Sequence, residues 1–379
     1  MLFRSALDAW LRAHGGRVGS LGVGADGARG RGAFAIADVD DGEELVQVPW
    51  RCILAAGELD DPLSRRLRAG WLGPSQEHVV LTVALLRARV DRDPFWAPYL
   101  RSLPAAVPGH PTSWDDEAVA DFAGTTFGRL LAERRELFDQ ELGFVTATCP
   151  PLADLPEETW RLARTLVGSR AFSLTIRGVE QSALVPFADL LNHGWPPQTR
   201  WGSDDEGFYV RARGAIPVGA AVQNSYGARS NSRLLLHYGF TLPDNPLQET
   251  FIDLGALGRH RVSPTWDEHA ARLFSEARGA LATLEERALR GGETTRPLSV
   301  RNESLTLLMI AREARRARTA LPAPTPHTAA VVTDEARVLD WLGGLGALVP
   351  VVQGTGPADD DRPELAPYAG YLRFLRSSG

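Results

Sequence analysis

The sequence predicts an α+β protein, and three observations support this prediction. Short segments that run or alternate apolar and end at glycine-rich turns occupy about residues 18–48 and 199–224, as is typical of strands. Between them, residues 59–148 carry broad apolar faces at helical spacing. Helical patterns dominate again beyond residue 240. Because 379 residues exceed one usual hydrophobic core, we expect two domains or one large composite domain. Pro243, Asn245 and Pro246 mark a boundary, which divides the chain into 1–240 and 241–379.

Composition narrows the possible partners and the compartment. The formal net charge of −6 does not favour general nucleic-acid binding. Cys52 and Cys149 lack the spacing of a zinc site, and two separate thiols suit a reducing compartment. No apolar run reaches the roughly 18 residues that a membrane span needs, and Arg4, Asp8 and Arg12 interrupt any secretory signal. We therefore expect a monomeric cytoplasmic protein that binds neither metal, nucleic acid nor membrane.

The first fifty residues predict one helix and several strands. These are a helix over 3–14 and strands over 18–22, 33–37 and 44–48, the last two joined by a turn at Asp40-Asp41-Gly42. The loop from Gly24 to Gly32 is rich in glycine and allows two interpretations. It is a tight connection between strands, or a cradle in which the main chain approaches a ligand closely. It is not a P-loop, because no Gly-Lys-Ser/Thr is present.

A helical region follows, from about residue 50 to residue 150. The segment Phe95-Trp96-Ala97-Pro98-Tyr99 joins aromatic side chains to proline breakers and indicates a structural anchor. Asp115-Asp116-Glu117 suits a helix N-terminus. A further helix is predicted over 157–172, and it ends in Ser169-Arg170-Ala171-Phe172. From the residues alone, Arg170 is a solvated cap at a helix end.

The later elements are a hairpin, a short strand and a series of helices. The hairpin pairs 199–202 with 207–213 around a polar turn, and a strand follows at 221–224. Helices are predicted over 230–237, 267–290, 301–319, 334–345 and 364–375, and a strand over 250–254. Arginines 312, 315, 316 and 318 form a basic stripe, which is either a solvated face or a dock for an acidic partner.

Three polar segments interrupt otherwise apolar sequence. They are Leu-Val-Pro-Phe-Ala-Asp-Leu-Leu-Asn-His (184–193), Asn-Ser-Tyr-Gly-Ala-Arg-Ser-Asn (224–231) and His-Tyr-Gly-Phe (237–240). Together with the Trp-x-Pro-Tyr segment and Ser-Arg-Ala-Phe, they resemble the SET-domain protein methyltransferases of the Rubisco large-subunit lysine methyltransferase type. The resemblance covers about residues 18–240 through motifs and residues 245–379 through layout only.

The resemblance implies a fold, a cofactor and a set of site residues. It implies small curved sheets with a knot-like threading, split by a helical insert at about 50–150, and an all-α C-terminal substrate-binding domain at 241–379. It implies S-adenosylmethionine (SAM) as the methyl donor, S-adenosylhomocysteine as the product, and no metal. The implied roles are catalysis by Tyr226; SAM binding by Arg29, Gly30, Arg31, Arg170, Asp189, Asn192, His193 and Tyr238; and a substrate channel lined by Phe172, Ala188, Leu190, Leu191, Tyr226 and Tyr238.

The implied reaction is direct, in-line methyl transfer to a lysine of a non-histone protein. All 41 basic Lys/Arg residues are arginine, so a lysine substrate must be another molecule. Phe172 and Ala188 favour lysine, because the related actin-histidine enzymes carry asparagine and tryptophan there. The alternatives are a histidine methyltransferase and an inactive SET module that only binds protein. A serine hydrolase is disfavoured, because no Gly-x-Ser-x-Gly elbow is present.

Overall fold

The computed structural model describes residues 6–27, 30–107, 109–289, 291–355 and 363–378. The strands are β1 (Arg17–Val18), β2 (Leu21–Ala25), β3 (Arg31–Ala35), β4 (Glu44–Pro49), β5 (Leu54–Ala55), β6 (Ala171–Ile176), β7 (Val179–Leu184), β8 (Thr199–Ser203), β9 (Gly207–Ala212), β10 (Ala221–Val222), β11 (Thr250–Asp253) and β12 (Arg259–Val262). The helices are α1 (Ala6–Ala13), α2 (Pro62–Gly70), α3 (Gln76–Val90), α4 (Ala97–Ser102), α5 (Asp116–Ala120), α6 (Thr126–Thr148), α7 (Glu157–Arg170), α8 (Asn231–Tyr238), α9 (Glu268–Leu281), α10 (Leu284–Leu289), α11 (Val300–Ala320), α12 (Ala329–Gly343), α13 (Val349–Val352) and α14 (Ala369–Ser377).

Contacts within the chain divide it into two units. The first comprises residues 1–113 and 133–228, and the second comprises residues 114–132 and 229–379. The functional boundary expected after residue 240 stays a prediction.

Among its described residues, the first unit contains three small antiparallel sheets. Their strand orders are β1-β4-β9-β8, β10-β3-β2 and β5-β7-β6. In β4, Leu45, Val46 and Val48 are fully buried, with a bulge near Glu44. They join one apolar core with residues of α1, β9 and the segment that precedes His193. A second cluster lies among α2, α3, α6 and α7. The site residues of this unit therefore stand on short strands, loops and helix ends, and a continuous core supports several of these elements.

The second unit is mainly helical. The long helix α11 packs on α9 and α12 around a buried apolar cluster, and β11 and β12 form a two-stranded sheet in addition to the expected helices. On the predicted basic stripe, Arg312 pairs with Glu313 at 2.8 Å and Arg318 pairs with Asp340 at 3.1 Å. These ion pairs fit a solvated face, and docking of an acidic partner stays a prediction.

The structure corrects several element predictions. The helix expected over 157–172 ends at Arg170, because Ala171 and Phe172 begin β6. This strand forms a hairpin with β7 around Arg177-Gly178, and both turn residues have positive φ, as a type I′ turn requires. The turn at Asp40–Gly42 does not make a hairpin, since β3 and β4 belong to different sheets. The strand expected over 18–22 is likewise divided between β1 and β2.

Candidate active site

Tyr226 connects two of the motifs that the sequence singled out. Its main-chain N–H donates to Nδ1 of His193 at 3.0 Å, and its hydroxyl donates to the carbonyl oxygen of Leu191 at 3.1 Å. The phenol and imidazole rings stack with centroids 5.3 Å apart. Because the N–H points at Nδ1, that nitrogen is the acceptor and carries no proton. The half-buried hydroxyl is therefore held in place by the segment Leu191–His193.

The backbone explains why these two segments meet. Asn192 and His193 follow a 3₁₀ turn at Ala188–Leu190, which packs its apolar side chains into the core. Asn224 then runs beside them. Its N–H donates to the carbonyl of Asn192 at 2.8 Å, and its carbonyl accepts from Gly194 at 2.9 Å. This parallel bridge places Tyr226, two residues further on, against His193.

The glycine-rich loop meets the side chain of Asn192. The loop closes the β2–β3 hairpin, and the amide Nδ2 of Asn192 donates to Asp26 Oδ2 at 2.6 Å and to the carbonyl of Arg31 at 3.3 Å. A Cβ placed on Gly32 would lie 2.9 Å from that amide nitrogen. Gly30 has a φ of +81°, and the predicted residue Arg29 lies outside the described residues. The loop is thus both a strand connection and a close approach of main chain to Asn192.

Arg170, Asp189 and Tyr99 form a buried polar group in the same unit. Arg170 Nη1 donates to the carbonyl of Asp189 at 2.8 Å and lies 3.3 Å from its Oδ2. The hydroxyl of Tyr99 donates to the same Oδ2 at 3.1 Å. Burial raises the pKa of Asp189, although the Arg170 charge and the Tyr99 hydroxyl oppose the rise. Arg170 is therefore not the solvated cap that its position at a helix end indicated.

The remaining predicted residues fall into two groups. In the first unit, the Phe172 ring on β6 lies 5.1 Å from that of Phe208 and 5.6 Å from that of Trp201, while Ala188 and Leu190 are buried. Tyr238 ends α8 in the second unit, where the Arg229 guanidinium lies 5.8 Å from its ring centroid. All the described site residues except Tyr238 therefore belong to the first unit.

Sequence reasoning missed three polar residues at this site. Asp26 stands in the glycine-rich loop, Asn224 opens the tyrosine motif, and Tyr99 belongs to the segment interpreted as an aromatic anchor. Tyr99 is fully buried, and a buried phenol needs an acceptor for its hydroxyl. That requirement was the available signal, but the sequence does not show which carboxylate meets the hydroxyl.

Among the described residues, no group of three or more His, Cys, Asp or Glu side chains is placed to hold a metal ion. Within the same residues, every helix is too short or too polar to cross a membrane.

Comparison with solved structures identifies the fold. The SET domain of LSMT bound to lysine and AdoHcy superposes with a TM-score of 0.75 and 17% identity, and the match covers 91% of each chain. Rubisco LSMT bound to AdoMet gives a TM-score of 0.73 at 17% identity, over 90% of this chain and 92% of that one. The chain has the SET fold. The predicted fold class and the resemblance to the Rubisco methyltransferase type are therefore confirmed.

Sequence comparison finds protein methyltransferases. A ribosomal lysine N-methyltransferase of Schizosaccharomyces pombe is 24% identical over 259 residues, which are 66% of this chain and 46% of that protein. An N-lysine methyltransferase of Xenopus laevis is 27% identical over 239 residues, or 56% and 51%. An actin-histidine N-methyltransferase of Canis lupus familiaris is 24% identical over 282 residues, or 70% and 47%. No family model matches the chain, and the matches span about half of each relative.

Proposed function

We propose that this protein is a SAM-dependent protein-lysine N-methyltransferase that acts on a protein other than a histone. The observation that carries the proposal is the position of Tyr226. Its hydroxyl and its main chain are both held by the segment Leu191–His193, so residues 33 and 35 positions apart in the chain form one site. The SET fold and the lysine methyltransferases among the relatives support the same function.

The residues present fit SAM. Arg170 Nε and Asp189 Oδ1 are buried and bond to no described residue, so a charged ligand group would complete them. The amide of Asn192 fills the space that a Cβ at Gly32 would need, so the glycine-rich loop and Asn192 are in direct contact. In this proposal Arg170 faces the carboxylate of SAM, and Asn192, His193 and the main chain at Gly30 and Arg31 hold the remainder. The SAM-binding role that the resemblance implies for Tyr238 stays a prediction.

The chemistry requires alignment and an unprotonated amine. When bound, SAM supplies a methyl group on a sulfonium. The lysine amine attacks with its lone pair, the new N–C bond forms as the S–C bond breaks, and the methylated ammonium later loses a proton to solvent. Holding the reacting atoms in line is worth about 7–11 kcal/mol. The Tyr226 hydroxyl, anchored through Leu191, marks where the amine and the methyl group meet.

Lysine is the acceptor that the wall residues favour. Phe172 presents an aromatic ring supported by Trp201 and Phe208, and Ala188 is small and buried. An apolar wall suits the four-methylene stem of lysine, whereas an imidazole acceptor needs a polar neighbour for its ring nitrogen. The match to an actin-histidine enzyme keeps histidine methylation as the second candidate.

Labelling separates these candidates. We would incubate the protein with methyl-labelled SAM and a lysate of its own source, and then map the modified residue by mass spectrometry. Since the chain contains no lysine, methyl-lysine found in the mixture cannot come from the enzyme itself. Label on lysine supports the proposal, and label on histidine supports the alternative. Calorimetry that detects no SAM binding would instead favour the inactive protein-binding module.

A further inference from the structure

The buried arginine–carboxylate pairs of this protein differ in how many hydrogen bonds join the two side chains. We call a pair closed when the guanidinium bonds to both carboxylate oxygens. Arg278 and Glu303 join through two bonds of 2.6 and 2.7 Å, and both side chains are at most 1% exposed. Arg164 and Glu141 also join through two bonds, of 2.8 and 3.1 Å. Such paired contacts satisfy both the guanidinium fork and the carboxylate.

The Arg170–Asp189 pair is not closed in this way. Only Nη1 of Arg170 faces the carboxylate, and it does so at 3.3 Å from Oδ2. Arg170 Nε and Asp189 Oδ1 are buried without a partner among the described residues, while the arginine side chain remains 19% exposed. A buried ion pair left half satisfied is costly, so some interaction must prevent this pair from closing on itself.

Tyr99 supplies that interaction. Its hydroxyl donates to Asp189 Oδ2, the oxygen that also faces Arg170. Both donors therefore share Oδ2, and Oδ1 is left buried without a partner among the described residues. Tyr99 itself cannot move aside, because it is fully buried at the end of a chain of ring contacts through Trp96 and Phe95.

We propose that Tyr99 is a positioning residue that keeps the Arg170–Asp189 pair open for the charged amino-acid end of the cofactor. This inference rests on the proposed function, since it concerns the same cofactor. Without the hydroxyl, the Asp189 carboxylate rotates and pairs with Arg170 through both oxygens, as Glu303 does with Arg278. The pair is then internally satisfied and offers less to a ligand.

The charges around Asp189 give this role a pH signature. Asp189 is faced by Arg170 from α7, by Tyr99 from α4 and by the charge of Arg31 from β3. Closure on Arg170 would replace the bond from the neutral Tyr99 hydroxyl with a stronger bond from the guanidinium, so the pKa of Asp189 should be lower in the variant than in the wild type. SAM affinity should consequently fall at a lower pH in the variant than in the wild type as the solution is acidified.

The test uses the full chain and measures SAM affinity by calorimetry across pH. Tyr99→Phe removes one oxygen atom, and we expect affinity to fall about tenfold or more, the factor that one hydrogen bond to a charged group is worth. We also expect the acid limb of the affinity profile to move to lower pH. The KM for SAM should rise, while kcat at saturating SAM should change little, since Tyr99 does not contact the reacting atoms.

Tyr371→Phe is the matched control. Tyr371 is fully buried, and its hydroxyl donates to Glu303 of the closed pair in the second unit. The control therefore loses the same kind of bond, and its SAM affinity and pH profile should equal those of the wild type. A folded Tyr99→Phe protein with wild-type affinity and profile would overturn the inference. Failure of the wild type to bind SAM would overturn the proposed function instead.

A second variant tests the inference if Tyr99→Phe does not fold. In Asp189→Asn, the amide oxygen can still accept from Tyr99 and Arg170, which leaves the amide nitrogen where Oδ1 stood. We expect weaker SAM binding and no acid limb from residue 189. Unchanged SAM affinity would overturn the inference, because the side chain of residue 189 would then make no contact with the cofactor.

Discussion

Substituting Gly32 by alanine tests the contact between the glycine-rich loop and Asn192. The added Cβ would lie 2.9 Å from the Asn192 amide nitrogen, 3.2 Å from Asp26 Cβ and 3.3 Å from Asp26 Oδ2. The first of these distances is too short for any carbon–nitrogen contact. The amide must therefore move by about half an ångström, which lengthens or bends its 2.6 Å bond to Asp26.

Two effects of opposite sign determine how much Gly32→Ala changes the free energy of unfolding. Overpacking costs about 1–3 kcal/mol, while replacing glycine stiffens the unfolded chain and returns about 0.4–1 kcal/mol. We expect the free energy of unfolding to fall by about 1–2 kcal/mol. Displacement of the Asn192 amide should weaken SAM binding by about tenfold or more, as expected for the loss of a bond to a charged group.

Chemical denaturation measures the first quantity, and calorimetry with SAM measures the second. Gly143→Ala is the control, because an added Cβ on this exposed glycine of α6 meets no atom within 4 Å. The control should be more stable than the wild type by about 0.5–1 kcal/mol and should bind SAM equally well. Wild-type SAM affinity in a folded Gly32→Ala protein would refute the assignment of Asn192 to the cofactor site.

Three further predictions concern other parts of the chain. His193→Ala removes the acceptor of the Tyr226 N–H and should slow turnover strongly. His193→Asn can place an oxygen near the Nδ1 position and should therefore retain more of the turnover. Equal turnover in the two variants would contradict the role of His193 as the acceptor for Tyr226. Burial raises the pKa of Asp334 to about 6, so the folded state disfavours its charged form. Asp334→Asn should match the wild type in unfolding free energy below about pH 4 and exceed it by about 3 kcal/mol above pH 6; a constant difference would argue against this pKa. Burial raises the pKa of the Cys52 thiol to about 11, so Cys52 should react with maleimide only in the unfolded protein, and rapid labelling of the native state would contradict its burial.

The sequence predicted the fold because its strongest signals were long and local. The apolar run of α3, the apolar face of α11 and the polar turn between β8 and β9 each specify one element without reference to the rest of the chain. The β6–β7 hairpin was missed because Arg177-Gly178 is an uncommon pair for a type I′ turn. Ala171 and Phe172, the first residues of the hairpin, were therefore predicted to be the end of α7.

The candidate site was predictable only where a motif carried it. The contacts of Tyr226 with His193 and Leu191 join residues already singled out in the sequence. The bond from Tyr99 to Asp189 spans 90 residues, and no local pattern specifies such a partner. The sequence likewise did not predict that Asp26 bonds to Asn192, which is 166 residues away. The β2–β3 hairpin brings Asp26 to the side chain of Asn192. Long-range polar contacts depend on the folded core and not on the spacing of residues.

The central claim is that the Tyr226 phenol marks the point where the amine meets the methyl donor. The most direct test is to measure the transfer of labelled methyl groups by the Tyr226→Phe variant. The assay compares the wild type and the variant on the lysine-bearing acceptor found by labelling, and SAM affinity is measured for both by calorimetry. We predict turnover reduced at least about 100-fold with SAM affinity within about threefold of the wild type. Wild-type turnover in the folded variant would contradict the claim.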